Sequence, residues 1–246
     1  LTDPFGSGHM GMTAERIAEQ YGLSREDLDA FSAESHRRAA EAIEKDYFKD
    51  QIVPVTVRQG RNEFVFEQDE HVRPGTTAAS LAGLKPVFKP DGVVTAGNAS
   101  GINDGAAALV LTHIAEAEKR GLTPRARLLG YAFAGVEPGV MGLGPIPAVR
   151  RVLENTGLSV DDLDVIESNE AFAAQALAVS RELGLPEDRV NPNGGAVALG
   201  HPVGATGAIL IVKTLAELER RGGRRGLITM CIGGGQGIAL IIERFS

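Results

Sequence analysis

Cysteine is nearly absent from this chain, and tryptophan is wholly absent. Among the 246 residues there is one cysteine, Cys231, and aromatic residues make up 5% of the sequence. A single cysteine excludes an internal disulfide and is typical of proteins from a reducing compartment. We therefore expect a cytoplasmic protein.

Long apolar runs and an excess of positive charge are also missing. The longest apolar runs, such as residues 208–212, are far too short to cross a membrane. The net charge of −7 argues against a nucleic-acid or anionic-membrane partner. Hydrophobic residues make up 43% of the sequence, which is enough to fill the core of one large or two smaller α/β domains.

Glycine is plentiful, above all in the stretch NPNGGAVALGHPVGATG, residues 191–207. Glycines allow positive φ angles and close approach of the backbone to a ligand. Pro202 and the helix-period apolar residues after it predict a helix, with His201 at or near its N-terminus. The positive end of the helix dipole would lower the pKa of His201 and keep its ring neutral. A loop histidine at a glycine-rich packing site is the alternative.

The order of the elements indicates an α/β protein. Before residue 122 the pattern predicts helices and loops, with one helix capped by Thr13 and a longer one capped by Ser24 with Asp27. It also predicts strands at 52–57 and 61–67, an irregular segment at 69–92 and an apolar strand at 106–111. After residue 126 strands and helices alternate, which favours a layered domain ending in a hairpin. The strands are expected at 128–133, 164–168, 226–230 and 238–243, with helices at 147–157, after Asn169 as an N-cap, and after Pro202.

Three motifs in this second part resemble the C-terminal signatures of the thiolase family. They are NEAFA from Asn169, NPNGGAVALGHPVGATG from Asn191 and CIGGGQG from Cys231. Earlier segments are similar to thiolases as well: HMGMTAE from His9, RPGTT from Arg73 and TAGNASGINDGAAA from Thr95. Within the family, the sequence looks most like acetyl-CoA acetyltransferases and bacterial β-ketothiolases.

The resemblance implies a fold and a reaction. The fold is a layered αβαβα arrangement of two similar halves, and the reaction is reversible Claisen condensation of acyl-CoA or thiolytic cleavage of 3-ketoacyl-CoA. Thiolases carry a nucleophilic cysteine in the first half, whereas no cysteine precedes Cys231 here. We therefore expect the first half to be largely missing, with residues 1–122 forming an irregular helical loop region and the last strand of the N-terminal domain. Residues 123–246 are expected to form the C-terminal domain, and this chain alone to be inactive.

The resemblance also implies roles for four catalytic residues. Cys231 resembles the acid/base, and His201 the residue that activates the nucleophile and donates to the enolate oxyanion. Asn169 resembles the residue that completes this oxyanion site through a water. The N–H of Gly233 resembles a donor to the acyl-enzyme oxygen. Such donors and a thiolate base in electropositive surroundings are what enolate chemistry requires.

Seven further residues resemble substrate contacts of thiolases. Those matching coenzyme A contacts are Arg73, Ser80 and Ser100, with His9 lining the pantetheine channel. Those matching the walls around the acyl group are Met10, Met141 and Phe172. Ser80 and Met141 could instead simply pack. Coenzyme A thioesters are expected as substrates, with no bound cofactor or metal, and the family implies a dimer or tetramer.

Two other functions stay open on the sequence. In the first, Cys231 and His201 form a Cys–His pair in which Cys231 itself is acylated, giving a thioesterase-like hydrolase. In the second, the chain is a non-catalytic acyl-CoA-binding subunit.

Overall fold

The computed structural model describes residues 1–245, and its N-terminal part is helical. Helix α1 spans Met10–Tyr21 and helix α2 spans Arg25–Glu44. The predicted cap at Thr13 is wrong: the N-cap is His9, whose Nδ1 atom accepts a hydrogen bond from the Gly11 N–H. Helix α2 begins at the capping box that Ser24 and Asp27 form, as the sequence predicts.

The segment between α2 and the main sheet is irregular. Its regular elements are a 3₁₀ turn at Lys49–Gln51, the antiparallel strands β1 (Val55–Gln59) and β2 (Asn62–Phe66), and the short helices α3 (Ala78–Leu81) and α4 (Ile114–Lys119). The two predicted strands therefore exist and pair with each other. The predicted strand at 106–111 is wrong: this segment pairs with no strand of residues 1–245, and Val110 is 92% exposed. An apolar run becomes a strand only where a neighbour takes up its backbone hydrogen bonds.

A four-stranded mixed sheet organises the second half of the chain. Its strands are β3 (Ala126–Gly135), β4 (Val165–Ser168), β5 (Arg225–Ile232) and β6 (Gln236–Arg244), in the order β3-β6-β5-β4. β4 and β5 are parallel, whereas β5 and β6 form the predicted antiparallel hairpin. The parallel pair puts the ends of β4 and β5 at the same edge of the sheet, which is where the candidate site lies.

Helices cover both faces of this sheet. They are α5 (Pro145–Thr156), α6 (Ala173–Leu183), α7 (Ala196–Leu199) and α8 (Thr206–Arg221), with 3₁₀ turns at Pro138–Leu143 and Val160–Asp162. Helix α5 packs Val149 and Val152 on the face that carries Ile241, and α8 packs Leu210 and Leu218 on the opposite face. The result is an α/β layer arrangement, as expected from the alternating pattern.

The N-terminal helices dock onto helix α6. Ala14 of α1 and Leu28 of α2 share one buried cluster with Ala173 and Ala174. Small side chains at the start of α6 let the two helices approach closely, so the first part of the chain lies beside the residues that follow β4. None of the helices formed by residues 1–245 is both long and apolar enough to cross a bilayer.

Candidate active site

Asn169 and His201 meet where strand β4 ends. The Nδ2 atom of Asn169 lies 3.3 Å from the Nε2 atom of His201. Asn169 does not cap a helix, contrary to the prediction, because α6 begins four residues later with Phe172 at its N-cap. Instead its N–H donates to the Thr229 carbonyl and extends the pairing of β4 with β5, which leaves the amide side chain free to face His201.

The segment that resembles the TAGNASGIND signature also closes on this point. The Ser100 N–H donates to the Ala171 carbonyl at 3.1 Å, and the His201 N–H donates to the Asn103 side chain at 3.2 Å. A further backbone bridge joins Ile102 to His201. Three distant stretches, around residues 100, 170 and 201, therefore converge.

His201 lies before helix α8 and not in it. The helix begins at Thr206, so the predicted position at the helix N-terminus is wrong by about one turn. The pKa of His201 is nevertheless lowered, and the cause is burial of the ring. Neutral imidazole, as predicted, is thus favoured for a different reason. On its other side, Nδ1 lies 2.7 Å from the hydroxyl oxygen of Thr206, a residue the sequence analysis did not single out.

Cys231 lies near the end of β5 in a small apolar cluster. Its side chain is buried and shares this cluster with Met141 and Ala171, and with Met10 and Phe172 at the edge. Burial raises the pKa of the thiol to about 12. The residues of this cluster bring no positive charge to the thiol. In this state Cys231 keeps its proton.

Three residues assigned to the acyl-group walls, Met10, Met141 and Phe172, therefore lie around Cys231, although they come from distant parts of the chain. Gly233 is also close, since a Cβ atom at this position would collide with the end of the Met10 side chain. The β5–β6 turn, which holds Gly233, thus adjoins the same cluster.

The residues assigned to coenzyme A are less closely gathered. Arg73 and Ser80 are exposed, and Ser80 completes a capping box with Thr77 at helix α3. His9 caps helix α1 and stacks on Phe88, with ring centroids 4.7 Å apart. Phe88 in turn meets the edge of Phe172. His9 is thereby linked to the apolar cluster, whereas among residues 1–245 neither Arg73 nor Ser80 forms a side-chain hydrogen bond with Asn169, His201 or Cys231.

A buried polar network that the sequence analysis missed surrounds Glu170, the residue that follows Asn169. The carboxylate of Glu170 accepts hydrogen bonds from Ser35 (2.7 Å), Asn191 (2.8 Å) and the Val197 N–H (3.2 Å). Burial raises the pKa of Glu170, and these donors oppose that rise. The motifs NEAFA and NPNGG supply Glu170 and Asn191, so polar residues in these motifs could have indicated the network. Ser35 could not have been found in this way, because it lies 135 residues from Glu170 in the sequence.

A buried ion pair lies next to this network. The Nζ atom of Lys213 lies 2.7 Å from Glu167 and 2.8 Å from the Gly194 carbonyl. Burial raises the pKa of Glu167 to about 6 despite the nearby cation. Lys213 thus ties helix α8 to strand β4 and to the glycine loop that leads to His201.

The site combines groups that acyl-transfer chemistry uses. An imidazole and an amide are in contact at the end of β4, and a buried thiol lies near the end of the neighbouring strand β5. The Asn169 Oδ1 atom is buried without a hydrogen-bond partner among residues 1–245. Oriented donors beside a titratable thiol can stabilise an enolate and move its proton. No group of three or more His, Cys, Asp or Glu side chains within residues 1–245 is arranged to hold a metal ion.

Comparison with known proteins identifies the class more closely. Residues 1–115 match the family model of the thiolase N-terminal domain, and residues 122–244 match that of the thiolase C-terminal domain. This chain belongs to the thiolase family. It is 58% identical over 245 residues to the beta-ketothiolase BktB of Cupriavidus necator, covering 99% of this chain and 62% of that protein.

Solved structures agree. The crystal structure of the Bacillus anthracis acetyl-CoA acetyltransferase superposes with a TM-score of 0.98 at 53% identity, covering 100% of this chain and 62% of the other. Human mitochondrial 3-ketoacyl-CoA thiolase in complex with CoA has a TM-score of 0.92 at 42% identity, covering 100% and 61%.

These matches correct one expectation. The prediction that the first half of the fold is largely missing is not supported, because residues 1–115 match the N-terminal domain model. The chain spans 62% of the length of the curated relative described above. The domain boundary at residues 122 and 123 stays a prediction.

Proposed function

We propose that this chain provides the acyl-CoA site of a thiolase of the acetyl-CoA acetyltransferase or β-ketothiolase type. The observation that carries the proposal is the contact between Asn169 and His201, 3.3 Å apart, at the sheet edge that also holds Cys231. One side chain is an amide and the other an imidazole, and they meet where the parallel strands β4 and β5 end. α/β proteins commonly bind ligands at such strand ends. The names of the relatives support the same choice.

The proposed chemistry is removal of a proton from the α-carbon of an acyl thioester. The electrons then move onto the thioester oxygen, so donors must face that oxygen. We assign this task to His201 and Asn169. Cys231 is the group that exchanges the proton with the α-carbon, and the Gly233 N–H is the donor to the oxygen of the acyl group that is transferred.

The raised pKa of the Cys231 thiol bears on this assignment. With its pKa at about 12, the resting thiol holds its proton and is suited to give that proton to a carbanion. To act as a base, the thiol must first lose this proton. The same burial disfavours Cys231 as an acylated nucleophile, which weighs against the thioesterase-like hydrolase.

Coenzyme A thioesters are the proposed substrates. Apolar side chains of Met10, Met141 and Phe172 would surround the acyl group, and Ser100 is bonded directly to the Ala171 segment beside it. Arg73 and Ser80 are exposed and would contact the polar end of the coenzyme A moiety. His9 would line the channel that holds the pantetheine arm. Cytoplasmic location and assembly into dimers or tetramers belong to the same proposal.

Calorimetric titration with acetyl-CoA and with CoA tests this function. We expect Asn169→Ala and His201→Ala to weaken acetyl-CoA binding more than CoA binding, because only acetyl-CoA places an acyl group beside these two side chains. Arg73→Ala should weaken both ligands alike, and His113→Ala, at an exposed position, is the matched control. Absence of binding by the wild-type chain would contradict the proposal.

A cleavage assay separates the remaining functions. The reaction of thiolases by double displacement needs a covalent carrier besides the acid/base, and the 246 residues contain one thiol. We therefore expect this polypeptide alone not to cleave acetoacetyl-CoA at a normal rate. Hydrolysis with an acetyl adduct on Cys231 would support the hydrolase, and binding with no chemistry at all would support the non-catalytic subunit.

A further inference from the structure

Thr206 lies on the Nδ1 side of the His201 ring. Its hydroxyl oxygen lies 2.7 Å from Nδ1 of His201 and 2.9 Å from the Pro202 carbonyl oxygen. The side chain is buried, with 3% of its surface exposed. Water therefore has little access to this hydroxyl, and its hydrogen-bond partners are the His201 ring and the Pro202 carbonyl.

The two short contacts permit one arrangement of hydrogens. A carbonyl oxygen can only accept, and a hydroxyl has one hydrogen to give. If that hydrogen pointed at Nδ1 of His201, the Thr206 oxygen would face the Pro202 oxygen at 2.9 Å with no proton between two sets of lone pairs. If it points at Pro202, the hydroxyl accepts from an N–H at Nδ1, and both contacts are attractive.

The opposite side of the ring agrees with this arrangement. With the proton on Nδ1, the Nε2 atom carries a lone pair and accepts from the Nδ2 group of Asn169 at 3.3 Å. The chain of donors then runs in one direction, from Asn169 through His201 and Thr206 to the Pro202 carbonyl. Burial of the ring favours the neutral form in which this distinction exists.

We propose that Thr206 is a positioning residue that holds neutral His201 in the Nδ1–H tautomer and leaves Nε2 as a proton acceptor towards the site. For the reaction this consequence rests on the function proposed above. The N–H at Nε2, needed for donation to an enolate oxygen, then exists only after His201 has accepted a proton there. His201 would thus be a base first and an oxyanion donor second, and a proton accepted at Nε2 would convert one role into the other.

Nitrogen-15 NMR of the histidine side chains in the full 246-residue chain tests the tautomer without any substrate. His201→Asn identifies the signals of His201 among those of the five histidines. At a pH where the ring is neutral, the wild type should show the proton on Nδ1. Thr206→Ser keeps the hydroxyl and should keep this pattern, whereas Thr206→Val removes the acceptor and should move most of the population to Nε2–H.

Thr206→Val should also lower the pKa of His201 further, because the imidazolium loses the acceptor at Nδ1. Thr206→Ser should restore the wild-type pKa, which a merely structural role of the side chain would not require. A proton on Nε2 in the wild type, or an unchanged tautomer in Thr206→Val, overturns the proposal. If Thr206→Val does not fold, the wild-type and Thr206→Ser spectra alone decide. Binding of acetyl-CoA is measured separately, so a wrong tautomer and a wrong function give different results.

Discussion

Asn169 and His201 are separated by 32 positions in the sequence, yet their side chains meet at 3.3 Å through Nδ2 and Nε2. Asn169 is held by strand β4, through the bond of its N–H to Thr229, and His201 by the segment that follows the glycine loop. An amide at this position favours neutral imidazole, since it brings no charge to the ring.

Asn169→Asp should therefore raise the pKa of His201. A carboxylate within hydrogen-bond distance of Nε2 stabilises imidazolium by charge and by accepting its proton. An NMR titration of the His201 ring in the wild type and in the variant measures the change, and Asn169→Ala controls for loss of the amide alone. An equal or lower pKa in Asn169→Asp would mean that the two side chains are not in contact in solution.

Cys231 should react slowly with alkylating reagents in the folded protein. Only the thiolate is reactive, and burial raises the pKa of this thiol to about 12, so little thiolate exists at pH 8. At pH 8, iodoacetamide labelling followed by mass spectrometry should be roughly 1,000-fold slower in buffer than in denaturing urea, where the pKa returns to about 8.5. The rate in the folded state should rise with pH well beyond pH 9. Rapid labelling at pH 8 would show that the thiol is activated.

Lys213→Met should destabilise the fold by about 3–5 kcal/mol, because it leaves the buried carboxylate of Glu167 without its cation. Urea unfolding measures the free energy. The cost should be smaller at pH 5 than at pH 8, since Glu167 can then take up a proton. The double variant Glu167→Leu with Lys213→Met removes both charges and should be more stable than the single variant. A double variant no better than Lys213→Met would contradict this account of the pair.

Acid should weaken the fold through His36. Burial, with His71 and Arg73 nearby, lowers the pKa of His36 from 6.5 to about 4, and its Nδ1 accepts the Arg73 N–H. Between those pH values the unfolded chain binds more protons at this residue than the folded chain. The contribution of His36 to the free energy of unfolding is therefore fully present above pH 6.5. It is lost as the pH drops towards 4, and the loss amounts to up to about 3 kcal/mol.

His36→Asn offers an oxygen near the position of Nδ1 and does not titrate. Its free energy of unfolding should lose less than that of the wild type between pH 7 and pH 4.5. His113→Asn, at an exposed position, is the control and should follow the wild type. If the free energy of unfolding depends on pH in the same way in the wild type and in His36→Asn, the pKa of His36 is not lowered in the native state.

The sequence identified most parts of the candidate site because their chemistry is written in short motifs. Cys231, Met10, Met141 and Phe172 were named from separate segments, and they share one cluster in the structure. The hairpin β5–β6 and the capping box at Ser24 followed from local pattern alone. These features depend on residues close in sequence or on a motif, and such signals survive without knowledge of the packing.

What the sequence could not give depends on distant partners. Asn169 is a good helix cap by residue type. In the structure, however, its N–H donates to Thr229 and extends the pairing of β4 with β5. The lowered pKa of His201 arises from burial, which requires the surrounding chain, and not from the helix end that the motif suggested. Likewise Glu170 gains its donor Ser35 from helix α2, so no local pattern reveals the pair.

The central claim is that Cys231 and its neighbours act on the α-carbon of an acyl thioester, and proton exchange tests it most directly. Enolisation of acetyl-CoA needs the acid/base and the oxyanion donors but no covalent carrier, so this chain can be assayed as it stands. In deuterium oxide, the wild-type chain should speed exchange of the methyl protons of acetyl-CoA roughly 100-fold over buffer, the scale of general acid–base catalysis. Cys231→Ala should abolish the effect and His113→Ala should leave it unchanged. Exchange no faster than in buffer, or equally fast with Cys231→Ala, would contradict the account.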